Sequence, residues 1–363
     1  MDRAQLTQTL DASIEAHAFS GVVSVRQAGS VLYERAAGYA DRSNQIHNTL
    51  ETRFGIASGT KFLTALAIGR LIAAGKLSFA TRLKDCLSLE FPRYAPEITI
   101  RHLLTHTSGV PDYLDEEQIT DFDHFSLSVP WYELKRLRDY LAVFPDAPMK
   151  FAPGARFSCS NGGYILLGLV IEELTGLTYQ GFVEEEIFSA LGMRSGYFAF
   201  NQLPEETALG YVEEGPAWRT NIYNLPILGG SDGGAYATVQ DLATLWAAFW
   251  ERKVLPQEIV EIYAAPYVKA ETEGEHTYYG HGLWLLDRAG RAPLVYISGG
   301  DAGVSFRSSV DRDSDLQITV ISNTTRGAWP VLRDIDCVLR DHPRCRDLMA
   351  TGSSVGGDSR RCG

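Results

Sequence analysis

Apolar positions recur at helical spacing from Leu6 through Leu10 and Ile14 to Ala18, which predicts an amphipathic helix over 6–17. Two short strand-like runs follow, Gly21 to Val25 and Val31 to Glu34, with Gln27-Ala28-Gly29-Ser30 between them, the pattern of a β-hairpin. A second helix is predicted to open at Ser58 and to run through Phe62, Leu63, Leu66, Ile68, Leu71 and Ile72 to Gly75-Lys76. It is apolar nearly all round, so burial on every side is expected. Helical patterns dominate the next stretch, over 100–106, 131–143, 164–174 and 179–191. After the glycine-rich Gly229 to Gly234 one more helix is predicted over 239–250. Strand-like runs return over 278–286, 294–297, 303–310 and 316–321, and a last helix is predicted over 329–339.

Strands at both ends of the chain with helices between them imply an α/β (α+β) fold. One antiparallel sheet, built from both ends and flanked by terminal helices, carries an inserted, mainly helical domain. The pattern assigns 1–57 and 230–345 to the sheet domain and 58–229 to the helical one. The segment 346–363, rich in Gly and Ser, reads as a disordered tail. A chain of 363 residues is long enough for two such units, and a site is expected in the cleft between them.

The net charge of −12 and the lack of a basic patch argue against nucleic acid and anionic membrane as partners. No run is apolar long enough to span a bilayer and the first residues lack a signal-peptide core, so the expectation is a cytoplasmic protein. Cys86, Cys159, Cys337, Cys345 and Cys362 are odd in number and scattered, with no Cys-x-x-Cys pair; reduced thiols are expected.

Ser58-Gly59-Thr60-Lys61 is a Ser-x-x-Lys pattern, which on a helix lets the lysine nitrogen approach the serine hydroxyl. About one chance match is expected in a chain this long, and a serine N-cap ahead of a surface lysine explains the segment equally well. The apolar surroundings of Lys61 favour chemistry: burial would depress its pKa and let a neutral amine act as base, with Ser58 at the positive end of the helix dipole.

Two further segments bear on this choice, Ile100-Arg101-His102-Leu103-Leu104-Thr105-His106-Thr107-Ser108-Gly109-Val110-Pro111-Asp112-Tyr113 and Phe157-Ser158-Cys159-Ser160-Asn161-Gly162-Gly163-Tyr164-Ile165-Leu166-Leu167-Gly168. With Ser-x-x-Lys ahead of them, the order resembles the serine β-lactamase-like and penicillin-binding-protein-like family, which includes class C β-lactamases, DD-peptidases, esterases and D-aminopeptidases. The resemblance runs from about residue 20 to 340 and implies a β-lactamase/transpeptidase-like fold.

It also implies roles. Ser58 would be the nucleophile and Lys61 its base. Cys159 stands where the family has a proton-transferring tyrosine; its shorter side chain would leave a gap near Ser58, and an inert, buried cysteine is favoured over a catalytic thiol. Asn161 would bind the substrate's amide or ester side, and Tyr113 would line the same site. Ile297-Ser298-Gly299-Gly300-Asp301-Ala302-Gly303 falls where the family has Lys-Thr-Gly or His-x-Gly. Ser298 would thus replace the cation, Gly299 and Gly300 would admit substrate, and the amides of Ser58 and Asp301 would form the oxyanion hole. Without that cation, neutral or cationic ligands fit better than carboxylates.

The expected activity is hydrolysis of a small ester, amide or short peptide through an acyl-enzyme, with no metal or organic cofactor. The alternative is a catalytically impaired relative that binds a ligand in the same cleft. Three features carry no catalytic assignment: His102 and His106 at zinc-protease spacing lack the glutamate, Ser231-Asp232-Gly233 reads as a plain turn, and His281 stands in an aromatic strand.

Overall fold

The computed structural model describes residues 3–119, 121–270, 274 and 276–340; the tail 346–363, Cys345 and Cys362 lie outside these. The first apolar stripe forms α1 (Arg3–Ala16), which buries Leu6, Leu10 and Ile14. The hairpin is β1 (Gly21–Gln27) and β2 (Ser30–Ala37). Three long helices follow, α2 (Thr60–Ala73), α3 (Asn161–Thr175) and α4 (Val239–Trp250). The remaining strands of the large sheet are β3 (Val268–Lys269), β4 (Thr277–Tyr279), β5 (Trp284–Arg288), β6 (Arg291–Asp301), β7 (Val304–Asp311) and β8 (Leu316–Ser322), and α5 (Ala328–Arg340) comes last.

These strands make one eight-stranded antiparallel sheet in the order β2-β1-β8-β7-β6-β5-β4-β3, the α+β architecture that the pattern predicts. The two-residue period of a strand sends alternate side chains to opposite faces. Val23, Val25, Ile318 and Val320 therefore meet Leu10, Val331 and Ile335 of the terminal helices, whereas Val22, Phe306 and Ile321 face the helical side. On that side Phe62 of α2 is fully buried, 5.4 Å from Trp246 and 5.2 Å from Phe249 between ring centroids. Trp246 donates its indole N–H to Ser308 Oγ on β7 at 2.9 Å, so α2, α4 and the sheet are tied at one point.

Four features differ from the periodicity reading. The stretch 131–143 is two 3-10 turns, Trp131–Glu133 and Leu137–Ala142, rather than one helix. The Asp139 carboxylate accepts the N–H groups of Lys135 and Arg136 at 3.1 and 2.9 Å, and such local bonds compete with helix continuation. The run 278–286 is split into β4 and β5 by a turn in which Gly280 N–H donates to Leu283 O at 2.8 Å. Helix Gln257–Tyr263 and the small hairpin Tyr211–Glu214/Ala217–Thr220 were not anticipated. No helix among the described residues is long and apolar enough to cross a membrane.

Because Phe62 of α2 is fully buried against Trp246 and Phe249 of α4, Phe62→Ala should lower the unfolding free energy by about 3–5 kcal/mol. The check is denaturant unfolding, with a lowered midpoint at unchanged m-value.

Candidate active site

The chain reaches Ser58 through Phe54–Gly55, which pairs with Tyr236–Ala237, and through Ile56, whose N–H donates to Ala235 O at 2.9 Å. Ala57 then sits at φ 44°, in the left-handed region that a residue with a Cβ enters only when its surroundings hold it there. A single 3-10 turn, Ala57–Gly59, leads into α2. The N-cap of α2 is Gly59 and makes no side-chain cap bond, so Ser58 is not the helix cap. Its hydroxyl instead meets Lys61 Nζ at 2.6 Å. Strand β6 presses against this turn: a Cβ on Gly299 would lie 2.1 Å from Ile56 O and 3.0 Å from Ser58 N, so only glycine permits the approach.

Lys61 is 3% exposed, and Nζ makes two further bonds, to Asn161 Oδ1 at 2.7 Å and to Asp232 O at 3.1 Å. Asn161 opens α3. Its N–H and that of Gly162 donate to the two oxygens of Asp112 at 2.6 and 3.0 Å, a carboxylate set at a helix N-terminus. Its Nδ2 donates to Leu114 O and to Glu116 Oε1 at 3.1 and 2.9 Å, which fixes the amide orientation. Burial pushes the Asp112 carboxyl up to about 7, against the opposing pull of those backbone N–H groups.

Sequence reasoning missed Asp112, Glu116 and Asp232. Asp112 adjoins the His-Thr-Ser-Gly turn, the one signal that pointed near it. Ser231-Asp232-Gly233 is a turn, as read, yet its Asp232 carbonyl holds Lys61 and its carboxylate accepts the phenol of Tyr113 in a short hydrogen bond.

Ser58, Tyr113, Asn161, Gly300 and Asp301 all line one cleft, whose outer walls are aromatic, among them Phe122, Phe125, Trp131 and Phe198. Ser298 lies on the other side of Ser58 and donates its hydroxyl to Phe306 O at 3.1 Å. With Ser58, Lys61, His106, Tyr279 and Trp284 it walls a second, much smaller pocket. The Asp301 carboxylate is half-buried and accepts Ala302 N–H at 2.9 Å. Burial, then the charges of Asp232 and Glu116, push it up to about 7, with Lys61 pulling the other way.

Cys159 packs with Phe157, Tyr279 and Trp284, and its Sγ is 3.9 Å from both His106 Nε2 and Glu116 Oε1. Cys159 and Cys337 each take part in a disulfide bond, which corrects the expectation of reduced thiols throughout. Spacing along the chain does not report which sulfurs meet in space. A disulfide sulfur has no proton, so Cys159 cannot act as a thiol acid or base. Cys86 is free and buried, with its thiol pushed up to about 11 by desolvation.

The two histidines at i,i+4 spacing have separate structural partners: His102 Nδ1 accepts Thr99 N–H at 3.2 Å, and His106 Nδ1 accepts Ser160 N–H at 3.0 Å. His281 is stacked on Tyr263 with Phe79 and Tyr267 at its edges, away from Ser58, and burial lowers its pKa to about 3.

The Beta-lactamase family model matches residues 5–339 of the chain. A penicillin-binding protein of Bacillus subtilis (strain 168) is 28% identical over 308 residues, 80% of this chain and 65% of that protein. Esterase EstB of Burkholderia gladioli is 34% identical over 230 residues, 60% of this chain and 57% of that protein. The chain thus spans less than two thirds of the length of either relative. Among solved structures, a penicillin-binding protein from Bacillus halodurans is 43% identical with a TM-score of 0.85, covering 91% of this chain and 100% of that one.

The raised carboxyl of Asp301 makes a pH-dependent contribution to stability. In the folded state it keeps a proton up to about 7, whereas in the unfolded chain it titrates at its ordinary 3.8. Its contribution is therefore full below 3.8 and is lost as pH rises through 7. The buried histidines pull the opposite way at acid pH, so the informative quantity is a difference. The thermal midpoint of Asp301→Asn minus that of wild type should be near zero at about pH 4 and grow in the variant's favour until about pH 7.

Proposed function

This chain belongs to the β-lactamase family, and on that footing we propose that it is a serine hydrolase that turns over small esters or amides through an acyl-enzyme on Ser58. The observation that carries the reading is the bonding of Lys61 Nζ, 2.6 Å from Ser58 Oγ and within reach of two carbonyl oxygens. Nζ has three acceptors in reach, and once it has given up a proton the contacts to Asn161 Oδ1 and Asp232 O would take its two remaining hydrogens and turn its lone pair to the Ser58 hydroxyl, the arrangement a general base needs.

In the proposed cycle Ser58 Oγ attacks the substrate carbonyl as its proton moves to Lys61 Nζ. The resulting ammonium still has three acceptors around it. The N–H groups of Ser58 and Asp301 stabilise the oxyanion. Lys61 returns the proton to the leaving group, then takes one from the water that attacks the ester of Ser58, and Ser58 is regenerated. Tyr113 acts through Asp232, whose carboxylate it holds, and Asn161 positions both Lys61 and the substrate.

Small esters rank first as substrates, a ranking to which the relative named esterase EstB lends weight. Short peptides or D-amino-acid amides come second. β-Lactams come third, since their carboxylate needs a cation and Ser298 offers only a hydroxyl that is already donated to Phe306 O. A second reading, a ligand-binding relative with impaired turnover, is favoured by one observation: Cys159, where the family has tyrosine, carries no transferable proton.

Covalent labelling separates the two. A fluorophosphonate should add one equivalent to wild type and none to Ser58→Ala by intact mass, and chromogenic ester turnover should vanish with the label. Lys61→Met should lower kcat/KM by about 10²–10⁴-fold. An unlabelled, inert wild type would favour the binder. Cys159→Ser also removes a disulfide, so its turnover is read beside denaturant unfolding: in a variant that is still folded it should stay close to wild type, because the sulfur has no role in proton transfer, and a collapse in a folded variant would show that Lys61 is not the base.

A further inference from the structure

Helix α2 sends a second polar side chain to the turn that holds Lys61. Thr64 lies one helical turn beyond Lys61 on the same face and is wholly buried. Its Oγ1 is 2.5 Å from Ser231 O, and Lys61 Nζ is 3.1 Å from the next carbonyl, Asp232 O. At the start of the helix Thr60 Oγ1 accepts Ala235 N–H at 3.0 Å. Three side chains of one helix thus meet the run 231–235 in reverse order, 60 with 235, 61 with 232 and 64 with 231.

Thr64 uses its hydroxyl differently from other helical threonines of this chain. Thr7 and Thr9 in α1 and Thr175 in α3 return theirs to the carbonyl four residues back, at 3.0, 2.9 and 2.7 Å. Thr64 bonds out of its helix, and two buried phenols stand behind it. Tyr179 OH is 2.7 Å from Thr64 Oγ1 and 2.8 Å from Tyr197 OH. The count of hydrogens fixes the direction. A carbonyl only accepts, so the single hydrogen of Thr64 goes to Ser231 O; Tyr179 then donates to Thr64, and Tyr197 to Tyr179. In such a one-way chain each bond polarises the next. Ser231 does not anchor the turn through its own hydroxyl, which is buried with no partner among the described residues. Thr64, Tyr179 and Tyr197 line neither the cleft nor the small pocket beside it, so none of them touches a substrate there.

We propose that Thr64 is a positioning residue for Lys61: by pinning Ser231 O it holds the next carbonyl, Asp232 O, where that carbonyl takes a hydrogen of Nζ, and so keeps the lone pair of the deprotonated amine on Ser58. Its effect on turnover rests on the acyl-enzyme reading; its effect on the turn rests on geometry alone. Without the hydroxyl, Ser231 O is a buried acceptor lacking a donor, and the turn is driven to shift until one is found.

The test pairs Thr64→Val, which removes the hydroxyl at nearly constant shape, with Thr64→Ser, which keeps it, both checked for folding by circular dichroism. With a chromogenic ester, Thr64→Val should lose about 10–100-fold in kcat with KM within about twofold of wild type. Thr64→Ser should stay within about threefold of wild type. Tyr179→Phe, which removes the donor behind Thr64 and leaves the bond to Ser231, should fall between the two. A merely structural hydroxyl behaves otherwise: Thr319→Val, which removes a buried bond of 2.7 Å to Ser308 Oγ, should lower the thermal midpoint and leave kcat unchanged. Crystal structures of wild type and Thr64→Val give a readout that needs no turnover, in which the variant should lose the Lys61 Nζ–Asp232 O bond, opening it beyond about 3.5 Å. A Thr64→Val that keeps this bond or keeps its kcat overturns the inference, as does a folded Thr64→Ser as slow as Thr64→Val. A wild type with neither turnover nor a Ser58 label removes the acyl-enzyme reading, and the pair of crystal structures still decides the role of Thr64.

Discussion

The nitrogen of Lys61 is the point at which three separate stretches of chain are held to one another. Its hydrogen bonds go to Ser58 in the 3-10 turn ahead of its own helix, to Asn161 at the start of α3, and to the carbonyl of Asp232 in a glycine-rich turn. A polar group this deeply buried is tolerated only when its bonds are made, so each of the three stretches must be placed to within a fraction of a hydrogen-bond length. Supporting contacts do that placing. Asp112 fixes the first turn of α3, Tyr113 fixes the side chain of Asp232, and strand β6 closes on Ser58 because position 299 has no side chain. The cleft is thus organised from its floor upward, and its aromatic walls are decoration on a rigid base.

Much of the scaffold could be read from spacing alone. The apolar stripe of α1, the hairpin after it, the all-round apolar α2 and the returning strands of the second half follow from burial with a period of 3.6 or 2, and long periodic elements leave the strongest trace. Where local chemistry outweighs periodicity the reading fails. Trp131 to Val143 has helical spacing, yet Asp139 takes the backbone N–H groups of Lys135 and Arg136 and the segment winds as 3-10 turns. The split of 278–286 depends on Gly282, which adopts φ 85° at a turn that hydrophobic patterning does not register.

The candidate site divides in the same way. Ser58, Lys61 and Asn161 stand in motifs, so they could be named in advance, whereas Asp112, Glu116 and Asp232 matter through what they touch across the fold. Asp232 shows why: a serine-aspartate-glycine turn is common, and only its contact with Lys61, 171 residues distant in sequence, gives it meaning. Cysteine pairing is invisible for the same reason. The sulfur at position 159 was read as a thiol from its scattered neighbours, and its bonded state is a property of three-dimensional proximity.

The sheet has a consequence for the birth of the molecule. Strand β1 lies between β2 and β8, with Gly21 opposite Ser322, so the β1–β2 hairpin keeps an open edge during synthesis until β8 has followed it. Closing so long a loop is slow, and an unpaired edge invites pairing with a neighbouring nascent chain. Translation speed and chaperone supply will therefore govern the yield of native protein more than they would for a fold assembled from sequential neighbours.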